Sequence, residues 1–129
     1  MPLEDYCSDQ TRTFWIGGKP TDRFKKTLEA VQEAQRKAIR AIHPGVPACD
    51  VYKAARGTSS LWALPKPLRM GSDMASDWKP MRAEPQRTQQ NPAGTGMIVT
   101  VEPGLYFPEW GGIRWEHMVL VTEDGCRVL

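Results

Sequence analysis

The sequence predicts an α+β fold, a mixed domain with at least one antiparallel sheet. Three observations carry that prediction. Residues 20–45 show the apolar spacing of an amphipathic helix. Residues 96–107 and 112–129 are two β-branched, strand-like runs. The second run contains an Asp-Gly pair, Asp124-Gly125, of the kind that closes a hairpin. A chain of 129 residues holds at most one domain with a modest core.

The elements follow in order. "TRTFWIGG" (11–18) reads as a β-branched and aromatic strand closed by two glycines. In "PTDRFKKTLEAVQEAQRKAIRAIHPG", Phe24, Leu28, Val31, Ala38 and Ile42 recur on one helical face. Thr21 or Asp22 can cap that helix, and "HPG" stops it. A short second helix follows in "PACDVYKAAR". From Gly57 to about Thr95 no period continues, and Pro65, Pro67, Pro80, Pro85 and Pro92 interrupt the chain. Such a stretch is too long for an ordinary loop inside a compact domain. Order returns with "GMIVTVEPGLYF" and "GIRWEHMVLVTEDGCRVL", the latter turning at Asp124-Gly125 before "CRVL".

Composition narrows the function. Hydrophobic residues at 40% and charged residues at 25% are those of a folded soluble chain. A net charge of +2, without a Lys/Arg block interleaved with aromatics, argues against nucleic acid. No apolar run is long enough for a bilayer span, so no membrane partner is expected. "MPLEDYCSDQ" lacks the basic and apolar regions of a signal peptide. Cys7, Cys49 and Cys126 are odd in number and form no CxxC, which fits reduced thiols and a cytoplasmic location.

The acidic residues carry the chemistry. In regular strands Glu102 shares a face with Ile98 and Thr100, and Glu116 with Arg114 and Met118. A carboxylate among apolar, β-branched neighbours is costly unless something positive neutralises it. For either residue alone a salt bridge, for instance with Arg114, explains it. Two on consecutive strands, with Asp9 beside another, point toward a divalent metal. His43 ends a helix before Pro44, a structural position. His117 follows Glu116 directly and so points to the opposite face, away from any metal that Glu116 holds. Two such histidines assemble no nucleophilic triad, and no glycine-rich phosphate loop is present.

"YCSDQTRTFWIG", "GMIVTVEPGLY" and "GGIRWEHMVLVTEDG", in this order, resemble the pita-bread (creatinase/aminopeptidase-like) metallopeptidases, in the Xaa-Pro dipeptidase (prolidase) and Xaa-Pro aminopeptidase branch. The resemblance covers residues 6–56 and 96–129. It implies an incomplete pita-bread fold over 1–129, an antiparallel sheet with helices packed on one face. It implies hydrolysis of peptide bonds adjacent to proline, with two divalent ions (Mn, Co or Zn) activating a water. The partners it implies are a proline-containing peptide substrate and a second copy in a homodimer. Residue by residue, Asp9 resembles the family's bridging Asp, Glu102 the Glu that shares one ion with a His, and Glu116 the bridging Glu. Tyr106 and Arg114 fall where the family keeps residues that orient the ligands.

Two ligands have no counterpart. The family's first Asp falls upstream of Met1, and Asp5 is too close to Asp9 to replace it. The family's His belongs to a motif like H-G-x-G-H-G-x-G-L-x-x-H-E, where this chain reads "MGSDMASDWKPM" (70–81). Reading each codon's last base with the next two changes that stretch. Because Met and Trp have single codons, Met70 with Gly71 and Met74 with Ala75 must give Gly, and Asp77 with Trp78 must give Leu. Asp73 with Met74 gives His or Tyr. From Arg69 onward the shifted frame permits H-G-I-G-H-G-I-G-L-E-A-H-E. Residues 57–95 are therefore read as an irregular, out-of-frame segment and expected to be disordered, a divergent insertion being the alternative. With two ligands missing, metal affinity is expected to be weak and peptidase activity impaired. The alternative function is a non-catalytic pita-bread module that binds peptides or proteins.

Overall fold

The computed structural model describes residues 8–58, the backbone of 69–73, and 92–129. Helix α1 runs Asp22–Arg40, and the Thr21 side chain accepts a hydrogen bond from the Phe24 N–H, as an N-cap should. Asp22 lies in the first turn and Lys37 and Arg40 in the last, each complementing the helix dipole. The predicted face is the buried one: Phe24, Val31, Ala38 and Ile42 are inside, and Leu28 packs against them. Gly45, at a φ of 84°, turns the chain toward α2, Ala48–Arg56.

Among the described residues, five strands form one antiparallel sheet: β1 (Arg69–Asp73), β2 (Ile98–Phe107), β3 (Gly111–Arg114), β4 (His117–Val121) and β5 (Cys126–Val128). Their order is β1-β2-β4-β5, and β3 pairs with the far end of β2 on the β4 side. The core lies between α1, α2 and the sheet face that carries Val99, Val101 and Leu105. Among the described residues no helix is long and apolar enough to cross a membrane.

Three expectations are corrected. Residues 11–18 are not a strand. They run beside the β3–β4 link through isolated bonds. The Thr13 hydroxyl accepts from the Arg114 N–H (3.1 Å) and donates to the Arg114 carbonyl (2.9 Å). A side chain has thus taken the place of a backbone ladder. The run 112–129 is not one strand and a hairpin: it breaks at Trp115 and Glu116, so Glu116 lies between strands and not within one. Within 57–95, residues 69–73 form β1, and Ala93 is buried and exchanges backbone hydrogen bonds with Gly45 and Val46. The rest of that segment, 59–68 and 74–91, lies outside the described residues.

One prediction arises from the packing. The Cys126 thiol donates to the Ile39 carbonyl (3.2 Å), and burial pushes its pKa above the ordinary thiol value. Alkylation proceeds through the thiolate, so Cys126 should react more slowly than Cys49 on α2 at neutral pH. The gap should narrow as pH rises. Peptide-resolved mass spectrometry after iodoacetamide treatment measures this, and equal rates would contradict it.

Candidate metal centre

Among the described residues, the ladder of β2 with β3 and β4 has one gap. Ile98–Val101 pair with β4 and Gly104–Phe107 with β3. The same register runs on both sides, so Glu102 stands opposite Glu116, and Pro103 opposite Trp115. Pro103 accounts for the gap. Its carbonyl accepts the Trp115 N–H (3.3 Å), but it has no N–H to return. The adjacent Glu102–Glu116 pair is then a non-hydrogen-bonded one, the class in which Cα atoms approach to about 4.5 Å. Like charges directly opposite each other destabilise a sheet.

Register extends this row to a third strand: Asp73 of β1 is the partner of Glu102. Three acidic residues therefore stand abreast in register, two on strands and Glu116 in the link between β3 and β4. Asp9 is exposed, and its N–H donates to the Sδ of Met118 (3.1 Å), the next residue on Glu116's side of the strand. Among the described residues no three His, Cys, Asp or Glu side chains gather closely enough to hold a metal ion. Asp9 thus joins no such group with Glu102 and Glu116.

The two glutamates differ sharply in environment. Glu116 is 1% exposed: the Thr11 hydroxyl donates to its Oε2, while Oε1 is buried without a partner among the described residues. An orphaned carboxylate oxygen is among the costliest of buried groups. The Glu102 side chain is 16% exposed, with Arg114 Nη1 3.6 Å from Oε2. Arg114 donates from Nε to the Tyr106 hydroxyl (2.8 Å). That bond, then the charges of Glu102 and Glu116, push the Arg114 pKa up against the cost of its partial burial. The Tyr106 ring lies across the sheet over two glycines. A Cβ at Gly104 would stand 2.7 Å from its hydroxyl, and one at Gly112 would collide with the ring. Glycine at both positions is what leaves Tyr106 room to meet Arg114.

A polar relay lies on the opposite, helix-facing side. Arg12 Nη2 approaches His117 Nε2 to 2.6 Å, and His117 Nδ1 lies 3.0 Å from Gln35 Oε1. Arginine only donates, so His117 Nε2 must accept, and Nδ1 carries the proton to Gln35. Burial, then the Arg12 charge, push the His117 pKa below its ordinary value, consistent with a neutral ring. Arg12 also donates to the Glu116 carbonyl and sits 4.7 Å over the Trp115 ring. His117 thus faces α1, away from the carboxylate row. His43 is exposed beyond α1, its Nδ1 3.0 Å from the Pro44 carbonyl.

Sequence reasoning assigned no role to Thr11, Arg12 or Gln35. A signal existed for Gln35: it lies four residues after Val31 and three before Ala38, a polar residue on the apolar face of α1. Thr11 and Arg12 occupy a stretch that reads as strand, which hid their side-chain contacts.

Whether the donors suit a divalent cation turns on Glu116. A buried carboxylate oxygen without a partner, opposite a second carboxylate, suits one hard cation. The described residues do not supply the larger ligand set that two ions need.

An antiparallel sheet of this topology, with helices on one face, is the pita-bread architecture. It superposes on an X-Pro aminopeptidase from Thermotoga maritima MSB8 with a TM-score of 0.80, 30% identity, and coverage of 97% of this chain and 36% of that one. A prolidase from Pyrococcus horikoshii OT3 gives a TM-score of 0.76 at 28% identity, covering 94% of this chain and 35% of that one. An uncharacterized peptidase of Staphylococcus aureus (strain MW2) is 36% identical over 128 residues, 98% of this chain and 36% of that protein. The chain belongs to the metallopeptidase family M24, which its residues 1–123 match. It spans about a third of the length of these relatives.

Proposed function

We propose that this chain carries part of the catalytic centre of an Xaa-Pro peptidase, which hydrolyses peptide bonds adjacent to proline, and that hydrolysis by the chain itself is impaired. The observation that supports the metal reading best is the Glu102–Glu116 pair with its orphaned buried oxygen. Glu102 and Glu116 would hold a divalent cation (Mn, Co or Zn); Asp9, the third carboxylate that the family resemblance supplies, would have to move toward them to join. Bound there, the cation would polarise the scissile carbonyl and activate water. Thr11 and Arg12 hold Glu116, while Arg114 and Tyr106 flank Glu102. A cytoplasmic location and a homodimer belong to the same proposal.

The alternative, a non-catalytic module that binds peptides or proteins, is favoured by the lack of a three-ligand group among the described residues. An X-Pro dipeptide assay with manganese separates the readings. We expect turnover near the blank for this chain, and hydrolysis once the shifted reading of 69–81 is restored by synthesis. Peptide binding without turnover in the restored protein would favour the alternative, and rapid hydrolysis by the unaltered chain would overturn the impairment.

A further inference from the structure

We propose that Gln35 is the positioning residue that sets the spacing of Glu102 and Glu116, by supplying the hydrogen bond that Pro103 cannot make. The inference rests on the reading that these glutamates hold a divalent cation. Gln35 is 3% exposed on α1, and its amide nitrogen donates to two carbonyls, Val101 (3.0 Å) and Trp115 (3.1 Å). These residues immediately precede Glu102 and Glu116. In a complete ladder the Trp115 carbonyl would accept the N–H of residue 103, and proline has none. Both amide hydrogens of Gln35 are therefore committed to the two backbone groups that flank the carboxylate pair, one on each strand.

The orientation of that amide is determined. An Asn or Gln can be turned end for end, which would aim its oxygen at the two carbonyls. Here Gln35 Oε1 accepts from His117 Nδ1, and Arg12 forces His117 to carry its proton on Nδ1. A chain from the N-terminal segment through β4 to α1 thus fixes one amide beneath the pair. Simple packing does not require this arrangement, since the neighbouring buried positions of α1 are filled by Ala34 and Ala38. Strands held apart by a fixed amide keep two like charges at one separation, which a bound cation needs and the sheet alone does not provide at its gap.

The test pairs Gln35→Met, which keeps the length but not the donors, with Pro103→Ala, which returns the missing N–H to the ladder. Amide hydrogen exchange of the metal-free chain is the first readout. Gln35→Met should speed exchange at Trp115 and Glu116 by about tenfold, the loss expected of one buried hydrogen bond, while leaving Val99 and Val119 unchanged. Adding Pro103→Ala should restore protection, a rescue that a packing role for Gln35 would not permit. Uniform loss across the sheet, or no rescue, overturns the proposal. If Gln35→Met alone fails to fold, folding of the double variant is the expected result and its failure the overturning one. The second readout is paramagnetic broadening of amide signals by Mn(II). Gln35→Met should weaken the apparent affinity by about tenfold, and the double variant should recover it; unchanged affinity with raised exchange would overturn the positioning role. Absence of broadening near Glu102 and Glu116 in the unaltered chain would instead remove the metal reading, leaving the hydrogen-bond bridge to be decided by exchange alone.

Discussion

Replacing Glu116 with Gln is expected to stabilise the protein without metal and to abolish its stabilisation by manganese. Glu116 is buried, one of its oxygens has no partner among the described residues, and it faces Glu102 across the gap in the ladder. Leaving a buried polar group unsatisfied costs about 1–3 kcal/mol, and more for a charge. Gln keeps an acceptor for the Thr11 hydroxyl and removes the charge, so the melting temperature of the metal-free protein should rise by about 2–8 °C. The order reverses with metal. At ten times the dissociation constant a cation that binds only the folded state adds about 1.4 kcal/mol. Glu116→Gln should forgo that gain. Thermal melts with and without Mn(II) measure both effects, and a variant that gains as much from manganese as the unaltered chain would sink the assignment of Glu116.

Structure and sequence agree where a local period decides the outcome. Helix α1 was legible because Phe24, Leu28, Val31, Ala38 and Ile42 recur on one face and Thr21 can cap it. Strands β2 and β5 and the turn at Asp124-Gly125 were legible from β-branched runs and turn chemistry. Residues 11–18 have strand-like composition, yet the Thr13 hydroxyl occupies the hydrogen-bonding positions of Arg114 that a ladder would use. Composition reports propensity and cannot report that competition.

The facing of Glu102 and Glu116 was only half legible. Alternation along each strand singled out both residues, but their opposition depends on register between segments joined through β3, which a one-dimensional pattern does not contain. Alternation did anticipate that His117 turns from Glu116's face, and its bond to Gln35 on α1 shows why: the ring completes a polar relay in the core. The relay itself was hidden because its members lie far apart in sequence. Arg12, Gln35 and His117 become neighbours only after α1 has docked on the sheet.

Asp73→His should bind Zn(II) at least about tenfold more tightly than the unaltered chain, a gain of about 1.4 kcal/mol. The expectation joins two independent observations. Codon arithmetic permits a histidine of the shifted reading at position 73, because the last base of an Asp codon and the first two of Met give His or Tyr. Register places that same residue across from Glu102. In the present chain an aspartate, an oxygen ligand, occupies the register position opposite Glu102. A neutral imidazole would remove that charge and contribute a nitrogen ligand suited to zinc. Asp73→Asn separates these effects, since it removes the charge without supplying an imidazole. Calorimetric titration of both variants should therefore place His well ahead of Asn. Equal affinities would mean that position 73 does not address the carboxylate pair, and the shifted reading would lose its structural support.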